Sequence, residues 1–312
     1  MIERTPIELI DTHAHLDMED FDADREELLT RSRTGIFPSV KGRTIDSGPV
    51  QFRIKAMILP GITASSSQRV ADLAARVPVF YPGVGIHPNH LHEIAPSDWE
   101  RIRQLAARPE TVAIGETGLD LYWKTSPIEL QLNYLLRHSL LAKETGLPII
   151  IHCRDAEEAL MKYITLFRRW EAGESIPRVS GFEPLFDPEA ADLLNLPPMK
   201  GVVHSYSGGS ETALELIEQG FYLGFTGSVT FGKKFAPIAE AAKVIPADRI
   251  LLETDSPFLV PHPFRGKLER NEPLMSVWTA RRLAELREVS VAEIASQTAE
   301  NARRLFSLPQ TL

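Results

Sequence analysis

The sequence predicts an α/β fold, a (β/α)8 TIM barrel built as a single domain with loop insertions. Three observations carry that reading. Short apolar runs rich in β-branched residues recur eight times, and amphipathic segments with helix punctuation separate them. The 312-residue chain also suits one barrel and is too short to need a second large domain. In order the runs are IELID (7–11), KAMILPG (55–61), VFYPGVG (79–85), TVAIG (111–115), PIIIH (148–152), GVVHS (201–205), FYLGF (221–225) and RILLE (249–253). Their near-continuous apolarity suits parallel strands buried on both faces. An open doubly wound sheet is the second choice, and the lack of a GxGxxG or GxxxxGKS loop after the first run lowers it.

The intervening segments read as helices. Ser97 with Glu100, Ser126 with Glu129 and Ser290 with Glu293 have capping-box spacing, and Pro127 suits a first helical turn. The helix predicted over 126–145 is the clearest: its leucines at 130, 132, 135, 136, 140 and 141 form an inward stripe, Gly146 ends it, and Pro148 enforces the stop. Residues 33–54, where Gly, Pro and Ser stand among scattered charges, and residues 172–200, which hold five prolines, break the alternation and read as loop insertions. The first is expected in the βα loop after strand one, where it would reshape the substrate entrance.

Composition excludes several classes. With 43% hydrophobic and 24% charged residues and no biased tract, the chain is neither disordered nor fibrous. A net charge of −8 argues against a broad basic surface gripping nucleic acid, while leaving room for a local phosphate site. Cys153 is the only cysteine, so no intrachain disulfide forms. No signal peptide or membrane-spanning run is present, which predicts a cytoplasmic protein with no membrane partner; no obligate protein partner is expected.

Polar residues then gather at the carboxyl ends of the predicted strands: His13 and His15 after the first, His87 after the third, Glu116 after the fourth, His152 and His204 ending the fifth and sixth, and Asp255 after the eighth. In a barrel those ends share one mouth. An HxH pair in extended chain presents both imidazoles to one side, where they can hold one cation, although a lone HxH is as often a pair of surface histidines. Four histidines and two carboxylates at one barrel end make a poor apolar core, so His13, His15, Glu116, His152, His204 and Asp255 are read as metal ligands. Mixed imidazole and carboxylate donors suit Zn, Mn, Fe or Co, and the donor number is enough for two divalent metal ions bridged by Glu116. Paired ions can activate a water and neutralise charge on a phosphoryl or carbonyl oxygen, with Asp255 accepting the water's proton, so Glu116 and Asp255 are also the catalytic candidates.

These residues lie in blocks that resemble the TatD family of metal-dependent deoxyribonucleases, in the amidohydrolase superfamily. The blocks are DTHAHLD (11–17), GIHPN (85–89), AIGETGLD (113–120), IHCRDA (151–156), HSYSGG (204–209), GFTGSVTF (224–231), ETDSPFL (253–259), RGKLERNEP (265–273) and ENARRLF (300–306). The resemblance runs almost from end to end, and its ligand roles fall on the six residues already named. It implies a barrel with two divalent ions, in some members Mg, and hydrolysis of phosphodiester bonds in DNA, often from an end. Asn89 departs from the pattern, which often has a second histidine after GIHP; His90 follows it directly.

Other residues have weaker claims. His87 reads as a packed or substrate-orienting histidine and not as a ligand. Arg154 and Arg265 are candidate phosphate contacts, against an ion pair or a loop tie. Lys233 and Lys234 read as a solvated turn. Tyr122 and Trp123 either stack on bases or cap the barrel rim. Cys153 alternates away from His152 and is expected buried and inert. The leading function is a nuclease acting on DNA ends or single strands. An amidase, lactonase or small phosphodiesterase on the same site, and a barrel that binds metal without turnover, are the alternatives.

Overall fold

A computed structural model of the chain describes residues 5–178, 180 and 188–310. Among them eight parallel strands form one sheet in sequence order: β1 (Ile7–Asp11), β2 (Phe52–Pro60), β3 (Phe80–Val84), β4 (Ala113–Asp120), β5 (Ile149–Arg154), β6 (Gly201–Val203), β7 (Tyr222–Phe225) and β8 (Ile250–Leu252). The principal helices are α1 (Arg25–Thr34), α2 (Ala64–Ala74), α3 (Asp98–Ala106), α4 (Ile128–Thr145), α5 (Glu157–Glu171), α6 (Ser210–Glu218), α7 (Ala236–Val244), α8 (Ser276–Arg287) and α9 (Val291–Phe306). The sheet closes into a barrel. Where β8 meets β1, the backbone N–H of Thr12 donates to the Leu252 carbonyl at 3.0 Å, and that of Asp255 to the His13 carbonyl at 2.8 Å. Ala14 and Ser256 add an isolated parallel bridge. This closure decides against the open doubly wound sheet. No described helix is long and apolar enough to cross a membrane.

Alternation along the strands sorts the core into two regions. Ile10, Ile58, Ile150, Val202, Tyr222 and Leu251 fill the barrel interior, where Ala302, Leu305 and Phe306 of α9 pack against them. Their neighbours Leu9, Leu59, Ile149, Ile151, Val203 and Leu252 belong to the larger cluster shared with the surrounding helices. Continuing the inward parity past Ile150 and Val202 points His152 and His204 into the mouth, while Cys153 takes the outward parity of Ile151.

Both insertions fall in αβ connections and not in βα loops at the mouth. Residues 33–54 follow α1 and lead into β2, so they form an αβ connection at the opposite end of the barrel, which corrects the expected position in the βα loop after strand one. They fold as a small antiparallel hairpin, Ser39–Val40 against Arg43–Thr44, with Phe37 edge-on to Trp278 of α8 at 5.0 Å. Residues 172–200 likewise join α5 to β6; they include a short helical turn at Pro188–Asp192, while 179 and 181–187 lie outside the described residues.

Of the three capping boxes, one forms: the Ser290 hydroxyl accepts the Glu293 N–H at 3.1 Å and starts α9. Ser97 already has helical backbone angles, and Pro127, not Ser126, caps α4, leaving the Ser126 hydroxyl buried without a partner among the described residues. Gly146 ends α4 in the left-handed region as expected.

Candidate metal centre

The six predicted ligands meet at the carboxyl-terminal mouth, and His87 meets them. They form two groups around Glu116. In the first, His13 Nε2 lies 3.2 Å from His15 Nε2 and 3.3 Å from Glu116 Oε2. His15 Nε2 is 3.6 Å from the same Glu116 oxygen and 3.4 Å from Asp255 Oδ1. In the second, Glu116 Oε1 lies 2.8 Å from His204 Nε2, 3.0 Å from His152 Nδ1 and 3.4 Å from His87 Nε2. Donors about 2.1 Å from one tetrahedral ion stand about 3.4 Å from one another, so these separations fit a coordination shell. Glu116 turns one oxygen to each group.

The electrostatics fit cations as well. Burial alone would raise the Glu116 carboxyl, but His204, His87 and His13 overcome it and hold the group well below the ordinary carboxylate range. Burial works against Asp255 in the same way, and His15 and His13 bring it below its usual value. Desolvation opposes charge on His15 and His152, yet carboxylates raise each to about 9: Asp255 and Glu116 for the first, Asp120 and Glu116 for the second. Without a cation the cluster balances its carboxylates with protons, and metal binding displaces such protons. The Nδ1 atoms of His13, His15 and His204 are buried with no hydrogen-bond partner among the described residues, while their Nε2 atoms all turn to the carboxylates of the cluster.

Three buried carboxylates beside the ligands escaped the sequence reading. Asp120 Oδ2 lies 3.1 Å from His152 Nε2 and also accepts from Asn89 Nδ2 at 3.0 Å. Its Oδ1 accepts the backbone N–H groups of Tyr122 and Trp123, both at 2.9 Å. Asp120 thus orients the His152 ring so that Nδ1 faces Glu116, and Asn89, where a histidine is often found, steadies Asp120. Asp11 accepts the backbone N–H of His13 at 3.3 Å and of Thr254 at 3.0 Å, joining the chain beside two ligands. Glu253 accepts the Ser205 N–H at 2.8 Å and the Thr12 hydroxyl at 3.3 Å, in space left by the missing side chain of Gly224. The available signal was position: all three carboxylates end or follow barrel strands within two residues of β4, β1 or β8 termini.

Apart from His87, the weaker candidates stand away from the donor groups. His87 Nδ1 accepts the Asn89 N–H at 3.1 Å while Nε2 faces Glu116, so its ring is fixed at both ends. The Arg154 guanidinium lies 4.0 Å from the Tyr122 ring centre, and that of Arg265 4.2 Å from Phe231. His90 is half-exposed, 6.2 Å from His87 between ring centres, and outside both groups. Lys233 and Lys234 are exposed. Cys153 is half-buried, and burial pushes its thiol far up, so little of it is the reactive thiolate.

A family model described as "TatD related DNase" matches residues 10–307. The chain is 36% identical over 300 residues to a Bacillus subtilis protein named uncharacterized metal-dependent hydrolase YabD, covering 96% of this chain and 99% of that one. It is 30% identical over 304 residues to the Erwinia tasmaniensis protein named 3'-5' ssDNA/RNA exonuclease TatD, covering 96% and 100%. The crystal structure of YjjV, a TatD homologue from Escherichia coli K12, superposes with a TM-score of 0.76 at 27% identity over 96% of this chain and 98% of that one.

Proposed function

The chain belongs to the TatD-related DNase family of metal-dependent hydrolases, and from that premise we propose that it is a deoxyribonuclease that cleaves DNA phosphodiester bonds, acting on ends or single strands with two divalent ions. The observation that carries the reading is Glu116, whose two oxygens face different sets of histidines. His13, His15 and Asp255 would hold one ion, and His152 and His204 the other, with Glu116 between them. The ions, when bound, supply a water activated near neutral pH and neutralise charge on the phosphoryl oxygens.

The chain's own groups do the rest. Asp255, held ionised beside His15, is positioned to take the attacking water's proton. His87, fixed by the Asn89 N–H, turns Nε2 toward the same space and would orient the phosphate. Arg154 and Arg265 form no ion pair among the described residues, and each would offer its guanidinium to a phosphate further along the strand. The nuclease name of the Erwinia relative supports the choice of substrate over an amide or lactone.

The test is metal content together with nucleotide release from end-labelled single-stranded DNA, comparing wild type with His13→Ala/His15→Ala and with Glu116→Gln. Metal should fall in the double variant, and release should drop by about a thousandfold or more in both while circular dichroism stays native. Bound metal without release from any DNA would sink the nuclease reading, and near-normal turnover in Glu116→Gln would sink the bridging role.

A further inference from the structure

Among the described residues the exposed aromatic side chains are Tyr122, Trp123 and Phe258, at 52%, 58% and 51% exposure. All three stand at the mouth. Tyr122 and Trp123 directly follow β4, and Phe258 lies in the loop after β8. The strands run in ring order, so the fourth and eighth are opposite each other and the exposed rings flank the donor groups from two sides.

Each platform is registered to the donors. The backbone N–H groups of Tyr122 and Trp123 both donate to Asp120, whose other oxygen holds His152. The Phe258 N–H donates to the Asp255 carbonyl at 2.8 Å, and its ring stands edge-on to His15 with 6.4 Å between centres. Tyr122 meets Trp123 edge-on at 5.0 Å, and the Arg154 guanidinium lies over both rings, nearer Tyr122 at 4.0 Å than Trp123 at 5.6 Å, so Trp123 is the less covered of the two. Exposed rings beside an unpaired cation are the equipment that holds single-stranded nucleic acid: the cation takes the backbone and the rings take the base faces.

We propose that Trp123, braced by Tyr122, and Phe258 are two stacking platforms for the nucleobases on either side of the scissile phosphodiester. The inference rests on the nuclease reading and adds what selects the substrate. Stacking recognises the flat face that every base has, so base identity matters little, but both bases must be unpaired to turn toward rings on opposite sides of the mouth. Paired ends would be poor substrates until they fray.

The test uses the metal-loaded full chain with fluorophore-labelled deoxydinucleotides joined by one phosphorothioate, either complete or with the 5' or the 3' residue abasic, and reads Kd by fluorescence anisotropy. Wild type should bind the complete strand about tenfold more tightly than either abasic strand. Trp123→Ala and Phe258→Ala should each erase the gap at one end, and Trp123→Phe should keep it. Equal affinity of wild type for complete and abasic strands, or gaps that survive both alanine variants, would overturn the proposal. Nucleotide release from ordinary oligonucleotides, measured in parallel, reports on the nuclease reading alone: base-dependent binding without release would leave the platforms standing and reassign the reaction.

Discussion

At the scale of single residues, the six candidate donors converge because each stands near or just past the carboxyl end of a barrel strand. A histidine or carboxylate at a strand's carboxyl end advertises itself, because the barrel topology sends all such positions to one place. Asp120 carries that mark too, but its role and that of Asn89 depend on which atoms of His152 remain free once Glu116 is satisfied. His138 is a further case, invisible in the leucine stripe of α4. Its Nδ1–H donates to the Tyr134 carbonyl at 2.6 Å and its Nε2 accepts the Ile86 N–H at 3.1 Å, which uses the one donor and one acceptor of a neutral imidazole. Burial holds its pKa down to about 4. The unfolded chain, with an ordinary value of about 6.5, therefore takes up the proton first as pH falls, so the stabilisation is complete above about 6.5 and is lost as pH falls toward 4. Urea unfolding at pH 7 and pH 4.5 should show wild type losing about 2 to 3 kcal/mol more than His138→Gln. Parallel losses in the two proteins would refute the role.

At the scale of elements, hydrophobic runs located all eight strands but misjudged their ends wherever function or edge charge intruded. β2 starts at Phe52, earlier than the apolar run, because Arg53 and Lys55 alternate outward to pair with Glu8 of β1. β4 continues through GETGLD, a polar and glycine-rich stretch with no apolar signature, because Gly115 and Gly118 let it lie close against β5. Gly118 has φ +145°, and a Cβ there would fall on the His152 carbonyl oxygen with which it is in register. Gly118→Ala should lower stability by about 2 kcal/mol or more, read from the urea midpoint, and should weaken metal binding by displacing His152. An unchanged midpoint would mean that β4 and β5 can part without cost. The capping boxes misled in two of three cases for a similarly local reason: spacing was present, but Ser97 was already helical and Pro127 took the capping position.

At the scale of the whole molecule, the fold class was legible because eight repeats of one supersecondary unit leave few ways to bury eight two-faced strands. The position of the first insertion was not, because the short helix α1 has little apolar periodicity and was absorbed into the loop before it. The six candidate donors come from five strand ends and meet at one mouth, so a bound cation would tie the barrel together. At free metal of about a thousand times Kd that linkage contributes about 4 kcal/mol, and for a chain of this size each kcal/mol moves Tm by about 1.5 °C. Chelation should therefore lower Tm by several degrees, and His13→Ala/His15→Ala should respond less to chelator, since it keeps the donors of only one ion; an equal Tm with and without metal in wild type would contradict the linkage. The closure between β8 and β1 has a temporal side too. Asp11 and Thr254, which clasp the seam, are 243 residues apart, and His13 waits on the ribosome for Asp255 over nearly that whole distance. At translation rates of about 5 to 20 residues per second, the nascent chain carries an incomplete ligand set for on the order of tens of seconds. The earliest histidines are thus made long before the last carboxylate, and the candidate donor set is complete only after the final strand docks.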